Sequence, residues 1–186
     1  ADALRQADPG LAGVVLNINS RNTNVILGER YSTLWGRDWL EEELCQLTFR
    51  LSVPSFFQIN RAQTERLYNI ALDFARLTGT ETVLDLYCGI GTISLALAKR
   101  AGRVIGAEIV PQAVEDAREN ARRNGITNAE FFCGDAGQVA HKLAEEGVRP
   151  QVICVDPPRK GLAPDVPAIL AGLAPARIVY VSCDPA

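Results

Sequence analysis

At 186 residues the chain suits one ordinary domain, or one domain with a small appendage. Hydrophobic residues make up 47%, so a core can form, yet no apolar run reaches the roughly 18 residues a membrane-spanning helix needs. The formal net charge of −3 argues against a protein that grips nucleic-acid phosphates unaided, and leaves room for a catalytic domain whose grip lies elsewhere.

The opening residues Ala1-Asp2-Ala3-Leu4-Arg5 lack a basic region followed by an apolar stretch, so no secretory signal is read there. Residues 11–53 read as β-rich. Val14, Leu16 and Ile18 alternate with Val15, Asn17 and Asn19. The polar run Ser20-Arg21-Asn22-Thr23-Asn24 is a turn signal, and Val25-Ile26-Leu27 reads as a second strand. Gly36-Arg37-Asp38 punctuates again before the alternation Leu47-Thr48-Phe49-Arg50-Leu51, and Trp35 and Trp39 are expected to pack this small antiparallel unit.

From residue 60 the rhythm changes. Asn60 caps a helix, with Gln63 as its capping-box partner, and Leu67, Ile70, Ala71, Phe74 and Leu77 follow at helical spacing until Gly79. Strands are expected over 82–87, 103–107, 129–133, 151–155 and 177–182. Helices are expected over 92–100, from Pro111 to Gly125, over 137–146 and over 166–173. Continuously apolar strands such as Val152-Ile153-Cys154-Val155 belong to parallel sheets covered on both faces, so a doubly wound α/β sheet is expected.

The cysteines are Cys45, Cys88, Cys133, Cys154 and Cys183, none at a C-x-x-C spacing. Cys88, Cys154 and Cys183 fall in or beside apolar runs, as buried thiols do. An odd count without a pairing pattern points to a reducing cytoplasm, and no metal site is expected. His141, the only histidine, is expected at a helix surface.

In such sheets ligands bind beyond the carboxyl ends of the strands. Four segments put polar residues there. Asp85-Leu86-Tyr87-Cys88-Gly89-Ile90-Gly91-Thr92 is a strand running into a glycine turn; Gly89 and Gly91 let a backbone approach a ligand. The dinucleotide fingerprint fits poorly: Ser94 stands at its third glycine, and Asp85 would oppose a pyrophosphate while attracting a cation. Glu108 closes the next strand, where a carboxylate accepts from both ribose hydroxyls. Asp135 closes the third, placed to reach an adenine amino group or to cap the following helix. Asp156-Pro157-Pro158-Arg159-Lys160-Gly161 ends the fourth, two prolines stiffening an acid at the sheet edge. Cys183, at the end of the fifth, either faces the same cleft or is a small buried thiol.

Taken together, Ser55-Phe56-Phe57-Gln58-Ile59-Asn60, the 85–91 turn, Asp156-Pro157-Pro158-Arg159 and Ser182-Cys183-Asp184-Pro185 resemble, in order, the motifs of the RNA uridine-5-methyltransferase family, which modifies transfer and ribosomal RNA. Asn17-Ile18-Asn19 and Asn24-Val25-Ile26-Leu27-Gly28 resemble that family's central segment in its ribosomal-RNA branch, so 23S rRNA is the favoured target.

The resemblance implies a Rossmann-like, class I S-adenosylmethionine-dependent methyltransferase domain over 55–186, preceded by a β-rich segment over 1–54. It implies that Gln58, Tyr87, Thr92, Glu108, Asp135 and Asp156 contact S-adenosylmethionine beside Gly89 and Gly91, with S-adenosylhomocysteine as product. Thr92 stands where the family often has Asn. Asp156 would also adjoin the target uracil, and Cys183 would be the nucleophile. Thiolate addition at C6 makes C5 nucleophilic, C5 takes the methyl group, and a base removes the C5 proton so that the thiolate leaves. The target base must leave any stack first.

The family's base is a glutamate downstream of that cysteine, so the chain is expected to be a fragment that binds the cofactor and turns over poorly. RNA is the implied partner, with no membrane and no obligate protein partner. An amino-group methyltransferase using Asp156-Pro157-Pro158 without Cys183 is the alternative enzyme. A non-catalytic adenosine-binding module and, more distantly, an NAD oxidoreductase are the other readings.

Overall fold

The computed structural model describes residues 1–20, 27, 28 and 30–182. A short helix α1 (Asp2–Ala7) precedes two antiparallel hairpins, β1 (Gly13–Ile18) with β2 (Arg30–Gly36) and β3 (Trp39–Leu44) with β4 (Leu47–Ser52). Then follow α2 (Arg61–Ala75), β5 (Thr82–Leu86), α3 (Thr92–Ala98), β6 (Arg103–Glu108), α4 (Pro111–Arg123), β7 (Ala129–Cys133), α5 (Ala136–Glu145), β8 (Val152–Val155), α6 (Val166–Gly172) and β9 (Arg177–Tyr180). The last five strands form one parallel sheet in the order β7-β6-β5-β8-β9. This is the doubly wound sheet that the alternating elements predict, and the strand order reverses between β5 and β8.

Alternation along the strands divides the core. Leu84, Leu86, Ile105, Ala107, Ile153 and Val155 face α5 and α6. Val83, Val104, Val152, Cys154 and Val179 face α2, α3, α4 and the second hairpin, which adds Leu44, Leu47 and Phe49. Gly106 and Cys154 flank Asp85 in register. A Cβ at Gly106 would lie 2.5 Å from the Phe131 ring and 2.9 Å from Cys88 Sγ, so only glycine fits.

The second hairpin is also fastened by α4. On the β4 edge that faces away from β3, Arg50 N donates to Asn120 Oδ1 (2.7 Å) and Asn120 Nδ2 donates to Arg50 O (3.2 Å). Thr48 N donates to Asn124 Oδ1 (2.9 Å) and Asn124 Nδ2 returns a bond to Thr48 O (2.8 Å). Each carboxamide does the work of a peptide group, because it carries one acceptor and a donor side by side. The spacing allows it: four helical residues rise about 6 Å and two strand residues about 6.8 Å. Helix α4 thus serves as a third strand and closes an open edge.

Several local expectations are corrected. Of the expected stripe, Leu67, Ile70 and Phe74 face outward, while Ala71 is buried and Leu77 half-buried against the core; α2 also buries Thr64, Tyr68, Leu72 and Ala75, so small residues let the helix lie close to its neighbours. The helix ends before Arg76, which adopts the left-handed conformation (φ 46°), rather than at Gly79. The second strand is Arg30–Gly36; the sequence-predicted strand Val25-Ile26 lies outside the described residues, and Leu27 is not in a strand. Trp35 and Trp39 are half-buried under guanidinium groups, Arg5 over the first and Arg37, Arg50 and Arg123 around the second. Asn60 caps α2 as expected, accepting from Gln63 N at 3.2 Å. Cys88 and Cys154 are buried, and His141 is exposed on α5. No helix among the described residues is long and apolar enough to cross a membrane.

Candidate active site

A cleft of about 750 Å³ opens at the carboxyl edge of the sheet. Its lining includes Gln58, Asp85, Tyr87, Gly89, Thr92, Glu108, Asp135 and Asp156, residues singled out from the sequence, with Phe56 and Arg159 from the quoted motifs and, in addition, Tyr68. Gly91 adjoins it as the N-cap of α3. Four neighbouring strands, β7, β6, β5 and β8, each bring one carboxylate: Asp135, Glu108, Asp85 and Asp156.

Each acid is held differently. Asp85 is 1% exposed; Ser94 Oγ donates to its Oδ2, and its Oδ1 has no partner among the described residues. Burial pushes its carboxyl up to about 7, with Asp156 and Glu108 adding to the rise against the Ser94 bond. Asp156 is half-buried and raised by burial alone. Glu108 accepts from Gly89 N through Oε2 (3.0 Å) and from Val110 N through Oε1 (2.9 Å), which fixes its plane and ties it to the glycine turn. Asp135 caps α5, accepting from Gly137 N (3.0 Å) and Gln138 N (3.2 Å) on Oδ1, so the capping reading holds alongside its place in the lining.

The turn itself is built from left-handed backbone: Tyr87 at φ 65°, Gly89 at 54° and Gly91 at 84°. At Gly91 a Cβ would also press on the Phe131 ring at 3.2 Å and on Ala117 Cβ at 3.3 Å. Tyr87 has no such excuse, and its strained conformation turns a non-glycine side chain into the cleft wall. Tyr68 shares a hydrogen bond with Thr92 Oγ1 (2.7 Å), and burial holds its hydroxyl well above the usual range. Sequence reasoning missed Tyr68, which lies on the buried α2 face with Thr64 and Ala71.

Burial raises the Cys88 and Cys154 thiols well above their ordinary value, with Asp85 adding to both, so neither supplies a thiolate. Cys183 lies outside the described residues. The strand before it is placed: Val181 N donates to Val155 O at 2.8 Å, so β9 leaves the sheet next to Asp156. Among the described residues no group of three His, Cys, Asp or Glu is arranged to hold a metal.

This sheet order and cleft define the fold of the S-adenosylmethionine-dependent methyltransferases. A putative enzyme of that class from Streptococcus mutans superposes with a TM-score of 0.63 at 16% identity, over 97% of this chain and 50% of its own, a likeness of fold alone. The chain belongs to the tRNA (uracil-5-)-methyltransferase family, whose model matches residues 13–186. The crystal structure of the Pyrococcus abyssi tRNA (uracil-54, C5)-methyltransferase in complex with S-adenosyl-L-homocysteine superposes with a TM-score of 0.75 at 32% identity, covering 94% of this chain and 42% of that one. A Clostridium acetobutylicum protein named as an RNA methyltransferase is 50% identical over 177 residues, 95% of this chain and 38% of its own. One from Lactiplantibacillus plantarum is 50% identical over 182 residues, 98% and 40%. The chain therefore spans about two fifths of the length of these curated relatives.

Proposed function

We propose that the cleft binds S-adenosylmethionine and that the protein carrying this chain methylates C5 of uridine in RNA through Cys183. The observation that carries the cofactor reading is the row of four carboxylates, one from each of four adjacent strands, in a single cleft. Such a row repels a pyrophosphate and suits a ligand that combines a sulfonium, an ammonium and an adenosine. Oδ1 of buried Asp85, without a partner among the described residues, is the group that most needs a cation.

In this reading Glu108, already oriented by Gly89 N, receives the ribose hydroxyls. Asp135 receives the adenine amino group with Oδ2, its Oδ1 being used in the cap. Gln58, Tyr87 and Thr92 complete the walls, with Gly89 and Gly91 admitting the ligand close to the backbone. When bound, the cofactor supplies an electrophilic methyl group. Asp156, stiffened by Pro157 and Pro158, adjoins the place where β9 delivers the chain towards Cys183. Residues 55–186 are read as the catalytic unit and 1–54 as a β-rich segment appended to it.

The 23S rRNA reading rests on the 17–19 and 24–28 motifs. Asn17 Nδ2 donates to Gly28 O (2.9 Å) and Arg30 O (3.2 Å), and Gly28 N donates to Asn17 Oδ1 (2.8 Å), which gives part of that motif a structural role. The P. abyssi relative acts on tRNA. Incubating the full-length protein with 23S and tRNA transcripts carrying 5-fluorouridine tests both points. The expected product is a covalent complex on 23S RNA that maps to Cys183 and is lost in Cys183→Ser. Trapping on tRNA would reassign the substrate. Methylation that survives Cys183→Ser would favour an amino-group methyltransferase.

A further inference from the structure

A buried polar ladder runs along α4 behind the cleft. Its rungs are Asp116, Asn120 and Asn124, four residues apart on one face, with Asp116 5% exposed and Asn120 fully buried. Three donors converge on Asp116: Ser52 Oγ and Ser55 Oγ (2.8 Å) on Oδ2, and Gln112 Nε2 (3.2 Å) on Oδ1. Ser55 is followed directly by Phe56, Phe57 and Gln58, all in the cleft lining. Residues 53–60 form neither helix nor strand. The segment is anchored by the serine rung and by Phe57, whose ring centroid lies 6.5 Å from that of Phe49. One turn further along, Asn120 Nδ2 also donates to Ile90 O (3.2 Å), inside the glycine turn that forms the cleft's other wall. Among the described residues the hydrogen bonds of Asn124 go to Thr48 and to its own helix, and none goes to either wall.

We infer that Asp116 and Asn120 are positioning residues for the cofactor cleft: a single helix face holds the 52–58 segment and the glycine turn in a set relation to each other. Burying a carboxylate and a carboxamide costs free energy that an apolar helix–strand contact would not. What directional bonds add is register. Hydrophobic packing tolerates sliding, whereas paired donors and acceptors between Asn120 and Arg50, and two hydroxyls on one carboxylate oxygen, do not. The cleft needs such register, because its walls come from chain segments about thirty residues apart and a displacement of about 1 Å is enough to spoil a binding geometry. The inference rests on the cleft being the cofactor site, but the anchoring itself is measurable without any ligand.

The test compares Asp116→Ala, Asp116→Asn, Ser55→Ala and Asn124→Ala by hydrogen exchange of the unliganded chain and by S-adenosylhomocysteine calorimetry. Asp116→Ala is expected to raise exchange over 55–60 roughly tenfold or more and to weaken ligand binding roughly tenfold, the size of one charge-assisted hydrogen bond. Ser55→Ala should do the same to a smaller extent. Asp116→Asn should recover most of both, since its amide oxygen still accepts the serine hydroxyls. Asn124→Ala should lower Tm while leaving 55–60 exchange and affinity at wild-type values. Wild-type exchange in both Asp116→Ala and Ser55→Ala would overturn the inference, as would an equal loss of affinity in Asn124→Ala. Should Asp116→Ala not fold, Ser55→Ala against Asn124→Ala decides. A wild-type chain that takes up no ligand would sink the cofactor reading instead, while the exchange comparison still decides the anchoring.

Discussion

The two hairpins pair strands of almost the same length in the same antiparallel way, yet they stand in opposite relations to the sheet. The second sends Leu44, Leu47 and Phe49 into the core beside Tyr68 and Leu72 and has its free edge closed by Asn120 and Asn124. The first has no buried residue among the described ones; Leu16, Ile18 and Leu34 are exposed, and its contacts include its own ladder, the Asn17 clamp on Gly28 and Arg5 over Trp35. A two-stranded hairpin is marginal in water by itself. What makes the second one part of the sheet's core is therefore its apolar strand residues together with its partner helix, and it leads straight into the cleft wall at Phe56.

That contrast predicts a graded series of substitutions. Phe49→Ala empties a site with no solvent exposure and should cost about 3–5 kcal/mol in thermal or denaturant unfolding, endangering the whole fold. Asn120→Ala strands Arg50 N, Arg50 O and Ile90 O and should cost about 2 kcal/mol. Asn17→Ala removes three partly exposed bonds and should cost about 1 kcal/mol, read as lost amide protection confined to β1 and β2 with cofactor affinity unchanged. Leu34→Ala, at 52% exposure, should move stability by less than about 0.5 kcal/mol. The comparison breaks if Leu34→Ala costs as much as Phe49→Ala, or if Asn17→Ala weakens cofactor binding.

The sheet and its strand-end acids were legible because each rule involved is local. Asp85, Glu108 and Asp156 follow apolar runs and precede turns, and a parallel sheet gathers such ends on one edge whatever else the chain does. The α2 face was misread at three positions because Leu67, Ile70 and Phe74 supply a helical period that points away from the core, while the buried face joins the expected Ala71 to Ala75, whose smallness carries little periodic signal. Tyr68 was hidden for the same reason. The α4 ladder was out of reach altogether: Asn120 and Asn124 look like ordinary polar helix residues, and only a strand seventy residues earlier gives them their function.

In the proposed cofactor cleft, Asp85 is the acid that a cation-bearing ligand would answer. An acid whose folded value is raised to about 7 is neutral below that pH. Above it, the fold must bury an unpaired charge, so the unliganded chain loses stability as pH rises from the ordinary carboxylate range through about 7. A bound ammonium or sulfonium favours the charged form. Calorimetric titration of S-adenosylmethionine into the chain at pH 6 and pH 8 should therefore show affinity rising about tenfold with pH, and Asp85→Asn should bind more weakly with no such rise. A folded chain that takes up no S-adenosylmethionine at either pH, or whose affinity falls as pH rises, would contradict the account.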